Sequence, residues 1–230
     1  MFDTFISSPL FAFGLTLSTY SIGLLLRKKF NHALVNPLLI SIVLTMIFLA
    51  TFNIEYEVYE ENADYISFLL TPATLCLAVP LYEQFSLLKR NWKAILLGIF
   101  SGALCSLVSV FLFSLLFDFS HETYVAILPK SVTAAIGVPL ARQFDGFESI
   151  TVAAIAVSGI LGNIFAEPFC RICKITVPAA RGVAIGTCSH AIGTTKALEL
   201  GDVEGAMSSL SLVVAGLITV CIFPFFANLI

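Results

Sequence analysis

The sequence predicts an all-α integral membrane protein with about eight membrane segments, two or three of them broken or re-entrant, and an internal repeat. Three observations carry that expectation. Mean hydropathy is +0.98, with 58% of residues hydrophobic and only 12% charged. Such a chain hides its apolar surface in lipid or in an interior with almost no water-facing skin. The charges gather between the apolar runs, and three otherwise apolar stretches hold prolines, glycines and ionisable side chains. Residues 1–230 therefore read as a single polytopic membrane domain. The net charge of -3 and the lack of a basic face argue against a nucleic-acid partner.

A bilayer span takes about 20 apolar residues. Uncharged runs near that length are residues 4–26, 33–54, 65–82, 94–117, 149–166 and 205–230. The first is longer than a signal-peptide core and ends in Arg27-Lys28-Lys29 rather than a small-residue cleavage site, so it reads as a retained span. Segments 123–141 and 182–200 are long enough to cross but contain Lys130, His190, Lys196 and Glu199. The third run shares their character, because it holds Thr71-Pro72 and Val79-Pro80 and is followed by Glu83.

Lysine and arginine positions set orientation. Arg27, Lys28 and Lys29, then Lys89, Arg90 and Lys93, mark the cytoplasmic face of a cell membrane. The loop 55–64 carries Glu55, Glu57, Glu60, Glu61 and Asp64 with no base, so it and the N-terminus face outward. If segment 123–141 crossed fully, Arg171, Lys174 and Arg181 would fall outside. A re-entrant hairpin keeps them inside, and its prolines favour that arrangement.

The stretch 128–144, LPKSVTAAIGVPLARQF, organises this part of the chain. Proline removes a backbone donor and clashes with the preceding turn, and freed carbonyls at membrane depth need protein or a wet cavity around them. The helix breaks expected are Pro72, Pro80, Pro129 and Pro139. A plainer reading makes Pro129 the first residue of a helix and lets Lys130 snorkel from its first turn. The stretch also repeats. Thr74, Val79-Pro80-Leu81 and Gln84-Phe85 recur at the same spacing as Thr133, Val138-Pro139-Leu140 and Gln143-Phe144. Each copy precedes a glycine-bearing span, with Gly98 and Gly102 in one and Gly159 and Gly162 in the other. Paired Pro- and Gly-interrupted segments point to the midplane site of a transporter, although both prolines could simply end helices at the interface.

The third odd stretch, 181–200, has Gly182, Gly186 and Gly193, the hydroxyls of Thr187, Ser189, Thr194 and Thr195, and then His190, Lys196 and Glu199. It reads as a helix broken at its middle whose second half, starting near Gly193, offers free N–H groups to a carboxylate. His190 suits proton handling; a histidine bonded to a neighbouring helix is the bland alternative. Ser189 beside His190 lacks a G-x-S-x-G elbow, so no enzyme is expected. Cys170-x-x-Cys173 with Cys188 and His190 makes a formal zinc set. A lone C-x-x-C is a weak signal, and neither metal nor cofactor is expected.

The chain resembles the LrgB/CidB family of bacterial membrane proteins, described as antiholin-like. The resemblance rests on Asn36-Pro37-Leu38-Leu39-Ile40, on Leu70-Thr71-Pro72-Ala73-Thr74 through Ala78-Val79-Pro80-Leu81-Tyr82, on Pro129-Lys130-Ser131-Val132-Thr133, and on Arg181-Gly182 through Ser189-His190-Ala191-Ile192-Gly193-Thr194. It departs from the family pattern at Ala134-Ala135, often Thr-Pro, and at Ala191, often Gly. The resemblance implies a smaller LrgA/CidA-type membrane partner. It also implies one of two roles: control of murein hydrolase export and lysis, or carriage of small carboxylates such as pyruvate or, in a related plastid protein, glycolate and glycerate. The residues favour a monocarboxylate carrier working by alternating access, plausibly a homodimer. Its substrate-binding residues are expected to be Thr74, Lys130, Ser131, Thr133, Ser189, His190, Gly193 and Thr194. The alternative is an antiholin-like regulatory subunit that moves nothing itself.

Overall fold

The structure, a computed structural model, describes residues 6, 8–30, 35–69, 72, 75–76 and 78–230. Thr74 and His32 lie outside them. The chain groups into two compact units, Met1–Cys76 and Leu77–Ile230.

In the first unit, α1 (Pro9–Phe30) ends on Arg27, Lys28 and Lys29, cations that complement the negative end of the helix dipole. Asn36 starts α2 (Pro37–Thr51): its side-chain oxygen accepts from the N–H groups of Leu38 and Leu39, and Pro37 takes the first turn, where its missing donor costs nothing. The two helices are antiparallel. Phe11 meets Phe48, the Thr19 hydroxyl meets Ser41 (2.9 Å) and Thr45 (3.2 Å), and Gly23 lies against the Pro37 backbone. A side chain at Gly23 would collide with that backbone, so glycine permits the close approach.

The acidic stretch expected to be a loop is a helix, α3 (Tyr56–Phe68). Val58, Tyr59, Asn62, Ala63 and Ile66, at helical spacing, are half-buried, while the acids occupy much of the remaining surface. The Tyr59 hydroxyl lies 2.6 Å from Thr16 on α1. Charge composition alone hid this helical stripe.

The second unit holds the helices α4 (Ala78–Glu83), α5 (Phe85–Phe117), α6 (His121–Ile127), α7 (Ala134–Gln143), α8 (Glu148–Ile172), α9 (Pro178–Leu200) and α10 (Asp202–Ala227). Among the described residues, α1, α5, α8 and α10 are long and apolar enough to cross a membrane. The run 33–54 yields only the 15-residue apolar helix α2, and the run 65–82 is not one helix: α3 takes its start and α4 its end. At 33 residues, α5 is about 50 Å long, exceeding a hydrocarbon core of about 30 Å, so its basic first turns fit outside the core.

Two segments double back. The ring of His121, at the start of α6, faces the carbonyl of Phe144, just past α7, at 3.1 Å, and Gly146 packs on Val125 and Ala126. Residues 121–144 are therefore a hairpin whose reversal occupies residues 128–133. In α9 the reversal is a single residue, His190, at φ 40° and ψ -140°. Gly193 packs on Ile185, which a straight helix would hold about 12 Å away. Gly186 and Thr194 both meet Ser208 on α10. The stretch expected to span as a broken helix is thus a second hairpin, and its break falls at His190 rather than Gly193.

The hairpins enter from opposite ends of the helices around them. The base of the first lies by the end of α10, where Tyr124 donates to the Phe226 carbonyl (2.7 Å) and His121 faces the Ile230 oxygen (2.6 Å). The base of the second lies by the start of α10, where Gly182 packs on Glu204 and Leu198 on Gly205.

Candidate functional site between two hairpin tips

The first tip approaches the second hairpin at Thr187, three residues before the reversal at His190. The first begins with Leu128 and Pro129, both fully buried. Leu128 is anchored in an apolar cluster with Leu107, Val110, Tyr124, Leu140 and Phe223. That anchoring fixes the main chain where Pro129 forbids the helix to continue. Lys130 and Ser131 follow, and Thr133, in extended backbone, opens α7 without a side-chain capping bond. The start of α7 therefore keeps first-turn N–H groups at the tip, where the dipole is positive.

The Lys130 ammonium donates to the hydroxyls of Ser106 (3.1 Å) and Ser131 (3.2 Å), which lie 2.8 Å from each other. Among the described residues no acid pairs with it. The thiols of Cys105 on α5 and Cys188 on the second hairpin are within its electrostatic reach. Between the first tip, α5, α10 and Thr187 of the second hairpin is a cavity of about 10 Å³, lined by Ser106, Pro129, Ser131, Thr187, Ala215 and Thr219 among others. That is room for about one water, so the arrangement is closed around its polar centre.

The second tip is built differently. Gly159 faces the His190 ring and Ile192, and Gly162 faces Ser189; a Cβ at either glycine would collide with them. Nε2 of His190 lies 3.0 Å from the Ile155 carbonyl, which fixes that nitrogen as the donor. Asn163 donates to the Ile192 carbonyl (2.8 Å) and to Thr195 (3.0 Å). Thr194 donates back to the His190 carbonyl (2.9 Å) and lies 2.8 Å from Ser208. α8 thus satisfies the backbone that the reversal exposes, as a break at membrane depth requires.

Of the expected site residues, Ser131 lines the cavity, and Lys130, itself outside the lining, donates to Ser106 and Ser131, which are part of it. The structure places Ser189, His190, Gly193 and Thr194 in the second tip, buried and outside the cavity lining. Thr133 sits at the start of α7. Sequence reasoning missed Ser106, Thr219 and Ser208, hydroxyls on apolar helices whose only signal is a polar atom in a span; Thr187 counts among the hydroxyls of its stretch but not among the expected substrate-binding residues. Among the helix breaks, only Pro129 lies in a described reversal. Pro139 lies within α7, which runs on to Gln143, because proline's φ is itself helical and only one donor is lost. Pro80 lies in α4 (Ala78–Glu83), which continues past it. Pro72 stands between residues outside the description. Cys170 and Cys173 lie at the end of α8, by the base of the second hairpin, whereas His190 is at its tip. Among the described residues no cluster suited to a metal forms.

The polar tips, the glycine-lined α8 and the anchoring proline all lie in the portion of the chain matched by a family model. That model, the LrgB-like family, covers residues 16–229. Antiholin-like protein LrgB of Bacillus subtilis (strain 168) is 34% identical over 224 residues, 97% of either chain. Antiholin-like protein LrgB of Bacillus cereus (strain B4264) is 34% identical over 220 residues, 95% of this chain and 96% of its own. No solved structure matches. A match that runs through α1 and α2 as well as both hairpins, at this identity, is inherited along the whole length: the chain belongs to the LrgB-like family.

Proposed function

We propose that the chain is a carrier that moves small monocarboxylates, such as pyruvate or glycolate, across the cell membrane, with the carboxylate held between the two hairpin tips. The observation that carries this reading is Lys130: a cation at mid-depth whose hydrogen-bond partners are neutral hydroxyls. An ammonium there is costly unless an anion joins it, and a substrate carboxylate supplies that anion. Ser106, Ser131 and Thr187 replace its water, and the first-turn N–H groups of α7 add a fixed positive dipole. Opening of the roughly 10 Å³ cavity, by separation of the tips, admits the substrate. His190, Ser189, Gly193 and Thr194 hold the second tip in shape.

Three further features support the reading. α5 and α8 each follow one copy of the Thr–Val-Pro-Leu–Gln-Phe pattern and run in opposite directions. Both lay glycines on the second hairpin: Gly98 and Gly102 meet Val183 and Thr187, while Gly159 and Gly162 meet the tip. That is the relation an inverted repeat produces. Lys89, Arg90 and Lys93 share one end of the unit with Arg171, Lys174 and Arg181. This agrees with a cytoplasmic face at that end.

A second reading is favoured by the relatives' name, antiholin-like: a regulatory subunit acting with an LrgA/CidA-type membrane partner in murein hydrolase export. Liposomes holding the purified chain separate the two. Uptake of labelled pyruvate by the chain alone supports the carrier. Absence of uptake with and without an LrgA-type partner, while the pair alters hydrolase release from cells, supports the regulator.

A further inference from the structure

At the base of the second hairpin is a recess of about 260 Å³, remote from the tips and far larger than one water needs. Glu167 and Arg171 from the end of α8, Lys174 and Thr176 from the turn, and Arg181 and Leu200 from the two arms of α9 line it. Of the eight residues that line it, Cys170 and Ile175 included, three are cations and one is an acid. Glu167 is already shared, 3.2 Å from Arg171 and 3.4 Å from Lys196, and Lys196 also pairs with Glu199 at 3.3 Å. Arg181 is oriented by donating Nε to the Ile175 carbonyl (2.8 Å), while its ion pair with Glu204 is long, at 3.8 Å. Lys174 has no ion pair among the described residues.

The backbone gives an independent sign that Lys174 is there for its side chain. It closes α8 at φ 54°, with the Ile175 N–H returning to the Cys170 carbonyl at 2.8 Å. Glycine or asparagine fits such a left-handed helix end without the strain a lysine pays. The first arm of α9 also starts here, and Val177 gives it no side-chain cap, so its first-turn N–H groups face the same end.

We propose that this recess binds a phosphoryl group, supplied by an anionic lipid headgroup or by free phosphate. A phosphoryl group offers three acceptor oxygens, enough to meet an oriented guanidinium, an unpaired ammonium and helix N–H groups together. Basic pockets at the ends of membrane helices are suited to such headgroups.

The test uses the full chain in dodecyl maltoside, with thermal melting and native mass spectrometry in the presence of phosphatidylglycerol, phosphatidylcholine or inorganic phosphate. Phosphatidylglycerol should bind and raise the melting temperature, and phosphatidylcholine should not. Lys174→Gln should weaken binding about tenfold and Arg171→Gln about threefold, since Arg171 is already partnered, with Lys174→Arg restoring it. Neither position is buried, so the variants should melt as wild type without ligand. Binding of inorganic phosphate with the same loss in Lys174→Gln assigns the site to a soluble anion; binding of phosphatidylglycerol alone assigns it to lipid. No response to either, or an undiminished response in the Lys174→Gln, Arg171→Gln double variant, overturns the site. The readout is binding, so failure of the carrier reading leaves this result untouched.

Discussion

The two hairpins solve one problem in two ways. Each must reverse the backbone at mid-depth and find partners for the groups that reversal exposes. The second does so in a single residue, His190, pressed on the glycines of α8, with the tip's polar atoms bonded in turn: His190 to Ile155, the Ile192 carbonyl to Asn163, and Thr194 to Ser208. The first spreads the turn over six residues and leaves an ammonium against two serines. On the carrier reading, the tip whose polar groups are satisfied from within the fold serves as a wall, and the tip holding a cation without an anion is the place for the carboxylate. Rigidity and chemistry are thus divided between them.

The harshest way to break that contrast is to spoil the wall. Gly162→Leu puts a side chain into Ser189, and overpacking of this kind should cost at least the upper end of ~1–3 kcal/mol. Loss of folded, monodisperse protein, or a melting temperature lower by about 6–12 °C, is expected; a wild-type melt would show that the tip is loose. Next comes the ligand side. Lys130→Met should leave the melting temperature near wild type and cut pyruvate uptake about 10–100-fold, the worth of one charge-assisted contact, with Lys130→Arg intermediate. Unchanged uptake in Lys130→Met would remove the ligand from the first tip.

The third test asks whether His190 is wall or chemistry. His190→Gln keeps an N–H for the Ile155 carbonyl, whereas His190→Ala loses that bond and leaves a void at the buried tip, at a cost of about 1–3 kcal/mol. The Gln variant is expected to keep uptake and its pH profile, and the Ala variant to melt lower. A flattened pH profile in the Gln variant would move His190 to the chemical side. Smallest of all should be Thr19→Ala in the first unit. It removes a hydroxyl that meets Ser41 and Thr45 and should lower stability by about 1 kcal/mol without altering uptake.

Much of this was legible in the residues. Pro129 and the polar string after it announced the first reversal, and Arg171, Lys174 and Arg181 argued that the segment returns to its own side. In the second stretch a mid-helix break was foreseen, with the following half starting near Gly193; the unusual φ falls on His190, and Gly193 serves the close approach of the two arms. Closure into a hairpin could not be read, because it depends on Gly159 and Gly162, more than 25 residues away, offering a bare surface. Pro139 misled for the opposite reason: a short helix absorbs one missing donor. The acidic stretch misled because charge dominates its composition, while its packing rests on a half-buried stripe and one Tyr59–Thr16 contact.

Lys130 meets Ser106, which stands close to the centre of the apolar part of α5. A fixed positive charge halfway between two aqueous phases feels about half of any voltage across the bilayer. Carrying it to either face exchanges roughly 1 kcal/mol with a 100 mV field. On the carrier reading, pairing with the substrate anion cancels that exchange, so uptake should be less sensitive to voltage in the filled state than in the empty one.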